Sequence, residues 1–310
     1  MSNLHTLKPI EFNQPTAHVY SRTMQGLEEV IQYLPNSHVK IWYNVEPASY
    51  DEHFHKCIEI IFMLEGDTDA TFESSKIPLT TGDILIIPPY IMHGTKASHQ
   101  YRQFVLQLDI SPLSIFGIYS SSNSTINDIL LCNKEKCPQI YDTIYNNLID
   151  MINSYFTYEP YWELETYSHF LQMITCVGKS NISNPGANIN SSGNVQKQHS
   201  DKFAEILLYI DTNFAEQLTL DGVASMIGFS KYHFIRLFKE YTGTTFYEYL
   251  TAKRIQHAKE LLFTNMEITE IAFSCGFNNQ TSFCRTFKKE CKMPPTEYRQ
   301  RLLNSATDSK

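Results

Sequence analysis

The 310-residue sequence lacks several features that would each point to a particular class of protein. No apolar run approaches the roughly 20 residues that a membrane-spanning helix needs. The start of the chain, MSNLHTLKPIEF, lacks the apolar core of a secretion signal. The seven cysteines are odd in number and form no CxxC pair, which argues against a disulfide framework. We therefore expect a cytoplasmic protein with free thiols and no membrane association.

A strong positive charge is also missing. The chain carries 25 Lys and Arg against 33 Asp and Glu, a formal net charge of −8. Residues 200–310 are nearly neutral, with 14 cations and 13 anions, so the acidic excess lies in residues 1–199. Nucleic-acid-binding domains are often more basic than this, but seven cations against three anions lie between Arg285 and Lys310. The acidic N-terminal part argues against a strongly anionic small-molecule ligand.

The length and the hydrophobic pattern predict two domains with an α+β fold overall. Short apolar runs with turn signals from His18 to about Leu108 predict an antiparallel β-barrel or sandwich. Apolar stripes in 138–157 and 161–178 predict two helices, which either pack on the β domain or form a dimer interface. The expected divisions are an unstructured N-terminal arm (1–15), a β domain (16–112), a connecting segment with helices and a candidate dimer interface (113–178), a flexible polar linker (179–199), a helical domain (200–303) and a tail (304–310).

The helical domain contains an internal repeat. Ala224, Gly228 and Phe229 recur 48 residues later, where Leu220 and Val223 are matched by Ile268 and Ile271. Arg236, Phe238, Lys239 and Tyr249 recur 49 residues later. Each copy predicts a short helix, a glycine turn and a longer helix with one arginine at a fixed place. This is the layout of a helix-turn-helix, whose second helix enters a DNA major groove.

Capping residues place the expected helices of this domain. Thr219, Ser230, Thr245 and Asn279 each precede a helical pattern, as N-caps do. A further helix is expected over residues 267–274, and Pro294-Pro295 is expected to open a short last helix. The helix after Thr245 reaches about Phe263, so it spans about 28 Å. That length suits two recognition helices on successive major-groove segments, about 34 Å apart.

The second helix of each copy, at about 230–241 and 279–291, has an apolar face and a polar face. Arginine can bind guanine O6 and N7 with two hydrogen bonds, so Arg236 and Arg285 are the main candidates for base recognition. Nearby Lys side chains and the helix N-termini suit phosphates. The candidate DNA-binding residues are Lys231, Tyr232, Ile235, Arg236 and Lys239 in the first copy, and Asn279, Gln280, Thr281, Ser282, Cys284, Arg285, Lys288 and Lys289 in the second.

The motifs GFSKYHFIRLFKEYTG and IAFSCGFNNQTSFCRTFKKECKMPPTEYR closely resemble the AraC/XylS family of bacterial transcription regulators. The resemblance implies a seven-helix domain with two helix-turn-helix units, joined to an N-terminal effector and dimerisation domain. Most family members are activators that recruit RNA polymerase. By residue match, Arg236 and Arg285 stand where the family reads bases.

Two N-terminal motifs resemble those of the cupins, which have β-barrel folds. The first runs from His53 through His55 and Glu59 to Gly66, and the second runs from Gly82 to His93, with Tyr90 in place of its middle glycine. The implied pocket would hold a sugar or another small molecule. The candidate effector-binding residues are Trp42, His53, His55, Glu59, Tyr90 and His93.

The same motifs leave a second interpretation open. Metal-binding cupins use the positions of His53, His55, Glu59 and His93 as ligands, so the chain could be a metal-dependent enzyme fused to a DNA-binding module. AraC-type regulators often keep such residues without metal, so we expect no metal, no cofactor and no enzymatic activity. The sequence thus predicts an effector-controlled transcription regulator, an activator, that binds double-stranded DNA and RNA polymerase and forms a homodimer.

Overall fold

The computed structural model describes residues 5–8, 12, 22–35, 37–46, 48–72, 75–97, 100–116, 128–183 and 199–307. The chain divides into two compact units, Met1–Ala204 and Glu205–Lys310. Within the described ranges, no helix has the length and apolar character of a membrane-crossing segment.

Antiparallel strands form the body of the first unit. They are β1 (Thr23–Gln25), β2 (Glu28–Val30), β3 (Val39–Asn44), β4 (Tyr50–His53), β5 (Ile58–Glu65), β6 (Asp67–Phe72), β7 (Ser75–Thr80), β8 (Ile84–Ile87), β9 (His93–Ala97), β10 (Arg102–Leu108) and β11 (Leu130–Cys132). A five-stranded sheet has the order β11-β8-β5-β10-β3, and a four-stranded sheet has the order β4-β9-β6-β7. Strands β1 and β2 form a separate hairpin. The expected cupin-like β domain is confirmed.

The central position of strand β5 explains why its sequence is almost entirely apolar. Alternate side chains of a strand point to opposite faces of the sheet. Ile58, Ile60 and Phe62 belong to the larger core, which also contains residues of the two following helices. Ile61 and Met63 belong to a second core that also contains residues of the four-stranded sheet. Both faces are therefore covered, and only Glu59 interrupts the run.

Two helices, α1 (Tyr141–Thr157) and α2 (Trp162–Ser183), supply the helical part of the larger core. Ile144, Leu148 and Met151 of α1 are fully buried there. This stripe therefore packs on the β domain and is not free to form a dimer interface. The predicted stripe of α2 is less uniform, because Leu164 at its start is 68% exposed.

Several expected boundaries differ from the structure. The described residues of the N-terminal arm are not free: His5 and Lys8 donate backbone hydrogen bonds to side chains of α1, and Phe12 packs on Tyr43. The linker expected from residue 179 begins later, because α2 continues to Ser183. The first proline after residue 179 is Pro185, and a proline disfavours the helical conformation at the residue before it. The rest of that linker, up to residue 198, lies outside the described residues, as do residues 117–127 and most of the arm.

Seven helices form the described part of the second domain. They are α3 (His199–Asn213), α4 (Leu220–Met226), α5 (Lys231–Thr242), α6 (Phe246–Leu261), α7 (Ile268–Ser274), α8 (Gln280–Cys291) and α9 (Pro295–Thr307). The caps predicted at Thr219, Ser230 and Asn279 accept hydrogen bonds from the first turn of their helices, and Thr245 forms a capping box with Glu248. The last helix is longer than expected, with 13 residues.

Equivalent glycines turn the chain inside each helix pair. Gly228 lies between α4 and α5 with a φ of 72°, and Gly276 lies between α7 and α8 with a φ of 77°. Positive φ costs a side-chain-bearing residue energy that glycine avoids. The two turns therefore confirm the repeat as two helix-turn-helix units.

Candidate functional site

The exposed faces of α5 and α8 present the expected DNA-binding side chains to solvent. Phe234 and Phe238 of α5 and Phe283 and Phe287 of α8 are fully buried. On the opposite faces, every candidate residue is exposed except Cys284, which is half-buried. Burial raises the pKa of the Cys284 thiol, which keeps it protonated. Cys284 is therefore a small neutral side chain beside the exposed face.

Four arginines of this domain fall into two kinds. Among the residues that the structure describes, Arg236 and Arg285 have no hydrogen-bond or ion-pair partner and are exposed. Arg254 instead donates hydrogen bonds to the backbone carbonyls of Phe214 and Glu216, at 2.8 and 2.7 Å. Arg299 likewise donates to the carbonyls of Leu262 and Met266. Only the first kind leaves its guanidinium available to an outside partner.

A contact from the first helix to the start of the second helix occurs in both units. In the first unit Lys231 Nζ lies 2.9 Å from Asp221 Oδ2. In the second unit Thr269 Oγ1 donates to Gln280 Oε1 at 3.0 Å. These pairs occupy equivalent places in the repeat. Lys231 is therefore partly neutralised, and Gln280 keeps its amide N–H groups free to donate.

A cavity of about 750 Å³ lies in the first unit. Aromatic side chains form part of its wall, and a cluster of histidine and carboxylate groups forms another part. The lining residues are Phe12, Arg22, Glu29, Trp42, Tyr43, Asn44, Val45, Tyr50, His53, Glu59, Ile61, His93, Thr95, Gln103, Val105 and Gln107. This volume is within the range typical of small-molecule sites.

The structure brings four of the six predicted effector residues to this cavity. Trp42, His53, Glu59 and His93 line it. His55 lies behind them and is fully buried, so it reaches the cavity only through its neighbours.

Tyr90 does not line the cavity, contrary to the expectation for it. It sits in a turn with a φ of 68°, and its N–H donates to the His55 carbonyl at 2.8 Å. The residue therefore occupies a conformation that favours glycine, which agrees with the glycine of the cupin motif at this place. Tyr101, the residue before β10, is buried, and its hydroxyl donates a hydrogen bond to the Ala48 carbonyl.

Charged groups meet at one wall of the cavity. Glu59 Oε2 lies 3.1 Å from His55 Nε2, and Glu59 Oε1 lies 3.4 Å from His93 Nε2. Burial opposes ionisation of Glu59, but its His55 and His93 neighbours hold its pKa well below the usual range. Burial lowers the pKa of His53 to about 2, and the nearby histidines add to this effect. The wall therefore combines an ionised carboxylate with a neutral imidazole.

Four buried polar atoms that line the cavity have no hydrogen-bond partner among the residues that the structure describes. They are His93 Nε2, Thr95 Oγ1, Gln103 Oε1 and Gln107 Oε1. Buried polar atoms are nearly always paired, so such a group of unpaired atoms is typical of a site that binds a polar ligand.

The sequence did not identify every cavity residue. The pattern of β10 places Gln103, Val105 and Gln107 on one face, so alternation could have indicated them. Arg22 and Glu29 come from the β1–β2 hairpin and carry no recognisable motif. Phe12 belongs to the segment expected to be unstructured.

Comparisons with known proteins agree with this arrangement. A family model described as a helix-turn-helix domain matches residues 223–301, and a model described as an AraC-like ligand binding domain matches residues 45–119. The transposon Tn10 TetD protein of Escherichia coli is 38% identical over 121 residues, which cover 37% of this chain and 88% of TetD. The chain belongs to the AraC/XylS family.

Two further AraC-type matches differ in extent. Regulatory protein PocR of Salmonella typhimurium is 35% identical over 105 residues, which cover 34% of this chain but only 35% of PocR. The solved structure of ToxT from Vibrio cholerae is 16% identical, with a TM-score of 0.37, and covers 84% of this chain and 97% of ToxT. Family membership makes this chain an AraC-type DNA-binding transcription regulator with a ligand-binding domain.

Proposed function

We propose that α5 and α8 are two recognition helices that read successive major-groove segments of one duplex. The observation that carries this proposal is the exposure of Arg236 and Arg285, whose guanidinium groups have no partner among the described residues. Each can form two hydrogen bonds with a guanine. The connecting helix α6 has 16 residues, so it spans about 24 Å. Its length supports a spacing near one turn of DNA.

The neighbouring side chains support an unequal division of this task. In the first unit the exposed Tyr232 and Ile235 offer apolar surface that suits a thymine methyl group. In the second unit Gln280 offers an amide, and Lys288 and Lys289 add two charges that suit phosphates. We expect the first helix to contribute fewer phosphate contacts than the second.

We further propose that the cavity binds a neutral, hydroxyl-rich effector such as a sugar. Its unpaired Gln103 Oε1 and Gln107 Oε1 atoms accept hydrogen bonds, as do the carboxylates of Glu29 and Glu59. The aromatic side chains in the wall offer faces for the apolar side of a sugar ring. These two carboxylates would repel a strongly anionic effector and leave its charge buried without a partner.

The proposed regulator works as an activator through RNA polymerase and as a homodimer, and it has no catalytic turnover. The name of PocR, a regulatory protein, supports a regulatory role for this chain.

The first DNA experiment is genome-wide mapping of sites bound by the full chain, followed by duplex binding at several salt concentrations. Specific sites and a steep salt dependence are expected. Absence of both would contradict DNA reading by these helices.

Fluorescence tests the effector proposal, because the chain has only two tryptophans, Trp42 and Trp162. In a Trp162→Phe variant, Trp42 is the only reporter and lines the cavity. A panel of monosaccharides should include one that gives a saturable change. Gln107→Leu should weaken that binding, because it leaves a ligand hydroxyl unpaired, at a cost of about 1–3 kcal/mol. Binding of organic anions and of no sugar would show that the proposed ligand class is wrong.

A further inference from the structure

The side-chain amide of Gln280 is held at one end and open at the other. Gln280 is the first residue of α8, and the N-terminal residues of the second helix contact base edges in a helix-turn-helix. Thr269, in the first turn of α7, donates a hydrogen bond from its Oγ1 atom to Gln280 Oε1 at 3.0 Å. Gln280 Nε2 has no hydrogen-bond partner among the residues that the structure describes, and both residues are exposed. The amide nitrogen is therefore available to an outside partner, whereas the amide oxygen is already used.

The equivalent contact in the first unit joins different residue types. Asp221 lies 48 residues before Thr269, and Lys231 lies 49 residues before Gln280, as in the rest of the repeat. There a carboxylate holds an ammonium group, which is a compact point charge with rotatable donors. In the second unit a hydroxyl group holds a planar amide, whose oxygen and nitrogen face different ways. Only the second contact therefore selects one orientation of the side chain that it holds.

The orientation of a glutamine amide decides which bases it recognises. A freely rotating glutamine forms two hydrogen bonds with adenine, because its oxygen accepts from N6–H₂ and its nitrogen donates to N7. That arrangement requires both amide atoms to face the base edge. Because Thr269 holds Gln280 Oε1 towards α7, only the Nε2 donors face outward. The amide then suits the acceptors of guanine, O6 and N7, or the O4 acceptor of thymine.

Adenine fits the oriented amide less well than guanine or thymine does. Its N7 atom still accepts a hydrogen bond, but its N6–H₂ donors would face no acceptor on Gln280. Cytosine presents only the N4–H₂ donor at this edge, so it fits less well still. A polar group that loses water without gaining a partner destabilises the complex. The orientation therefore selects against the base that glutamine otherwise pairs with.

We propose that Thr269 is a positioning residue that makes Gln280 select guanine or thymine over adenine at one base of the binding site. Thr269 contacts no base in this role and acts only through the amide of Gln280. The inference rests on the proposed reading of DNA by α8. It adds a base preference to that reading, and it names the residue that sets the preference.

Affinities of the full chain for duplexes that differ at single base pairs test this role. The starting duplex is a specific site found by genome-wide mapping, and fluorescence anisotropy measures each affinity. Gln280→Ala identifies the base pair concerned, because this variant loses a preference only there. At that position the wild-type chain should bind guanine or thymine more tightly than adenine. Thr269→Val should raise the affinity for adenine relative to these bases by about two- to tenfold, the factor that corresponds to one hydrogen bond.

Thr269→Ser is the matched control, because it keeps the hydroxyl group and should show the wild-type preference. Circular dichroism reports folding, which we expect because Thr269 is exposed, and Thr269→Ala decides if Thr269→Val does not fold. The positioning role is overturned by a wild-type preference for adenine or cytosine, by an unchanged preference in folded Thr269→Val, or by the absence of any position that depends on Gln280.

Arg285→Ala separates this inference from the proposed function. If Arg285→Ala relaxes a base preference while Thr269→Val changes none, reading by α8 stands and the positioning role is wrong. If neither Arg285→Ala nor Gln280→Ala changes any base preference, the proposed reading by α8 fails, and the inference fails with it.

Discussion

At the scale of single residues, the arginines of the DNA-binding domain differ in what they contact. Arg254 and Arg299 donate hydrogen bonds to backbone carbonyls in the segments that connect helices. Arg236 and Arg285 hold nothing within the described chain. Arg254 and Arg299 therefore stabilise the fold of the free protein, whereas Arg236 and Arg285 act only when a partner binds.

Arg236→Ala and Arg285→Ala should each reduce affinity for a specific duplex by about 1–3 kcal/mol. The physical reason is the loss of one two-bond contact to a base in each case. Fluorescence anisotropy with a labelled duplex at fixed salt would measure the effect. Arg301→Ala is the matched control, because that arginine already pairs with Glu297 on the same helix. Unchanged affinity in both test variants would contradict base recognition by α5 and α8.

Residue-level prediction succeeded where a residue's environment follows from its own helix. The buried and exposed faces of α5 and α8 could be predicted from spacing, because helical periodicity decides them. The contact of Lys231 with Asp221 could not, because a tertiary turn brings these positions together. Arg22 and Glu29 were missed for the same reason: the hairpin that carries them reaches the cavity only in the fold.

At the scale of elements, the two helix-turn-helix turns differ in their tolerance of a side chain. A Cβ atom on Gly228 would meet no atom within 4 Å, whereas a Cβ on Gly276 would lie 2.5 Å from Ala215 O. Both positions have positive φ, so both share the same backbone cost. Only the second turn is packed tightly against the preceding chain.

Gly276→Ala should therefore destabilise the protein more than Gly228→Ala does. The shared backbone cost is about 1–2 kcal/mol, and the clash with Ala215 adds to it only at Gly276. Urea unfolding of the full chain, followed by helical circular dichroism, would compare the two variants. Gly228→Ala serves as the control for positive φ. Equal losses of stability would show that the contact at Ala215 relaxes without cost.

Element prediction depended on how strongly each segment is patterned. The first six residues of β5 and all four residues of β8 are buried, and the apolar runs in their sequences predicted both strands. The β6–β7 hairpin mixes Thr, Asp, Ser and Lys with apolar residues and was not predicted. Its inner side chains Ala70, Ile77 and Leu79 are buried all the same. Tertiary packing decided this segment, which its composition leaves ambiguous.

At the scale of the whole molecule, the two proposed DNA readers are unequal. The first presents an aromatic and an aliphatic side chain beside its arginine, and the second presents an amide and more positive charge. We therefore expect the two halves of one monomer's binding site to differ in sequence. A single-base substitution series should show that Arg236→Ala relaxes preference in one half and Arg285→Ala in the other. An inverted repeat within this footprint would contradict unequal readers.

Control by an effector requires that binding in the first unit changes DNA affinity. Couplings of this kind amount to about 1–3 kcal/mol, or about 5–150-fold in affinity. We expect anisotropy measurements with and without saturating effector to give a factor in this range. Linkage then requires the specific duplex to change effector affinity by the same factor. Trp42 fluorescence in the Trp162→Phe chain measures this second factor in the same protein.

Gln107→Leu separates this coupling from a general loss of structure. Because Gln107 lies in the cavity and on none of the DNA-reading helices, the variant should bind DNA like the wild-type chain when no effector is present. Its response should appear only at higher effector concentration, shifted by the loss of effector affinity. At saturating effector the variant should show the same change in DNA affinity as the wild-type chain. The substitution weakens effector binding, but it does not remove the two conformations between which the effector shifts the protein. If saturating effector leaves the DNA affinity of the wild-type chain unchanged, effector control is contradicted, even if the chain binds both ligands.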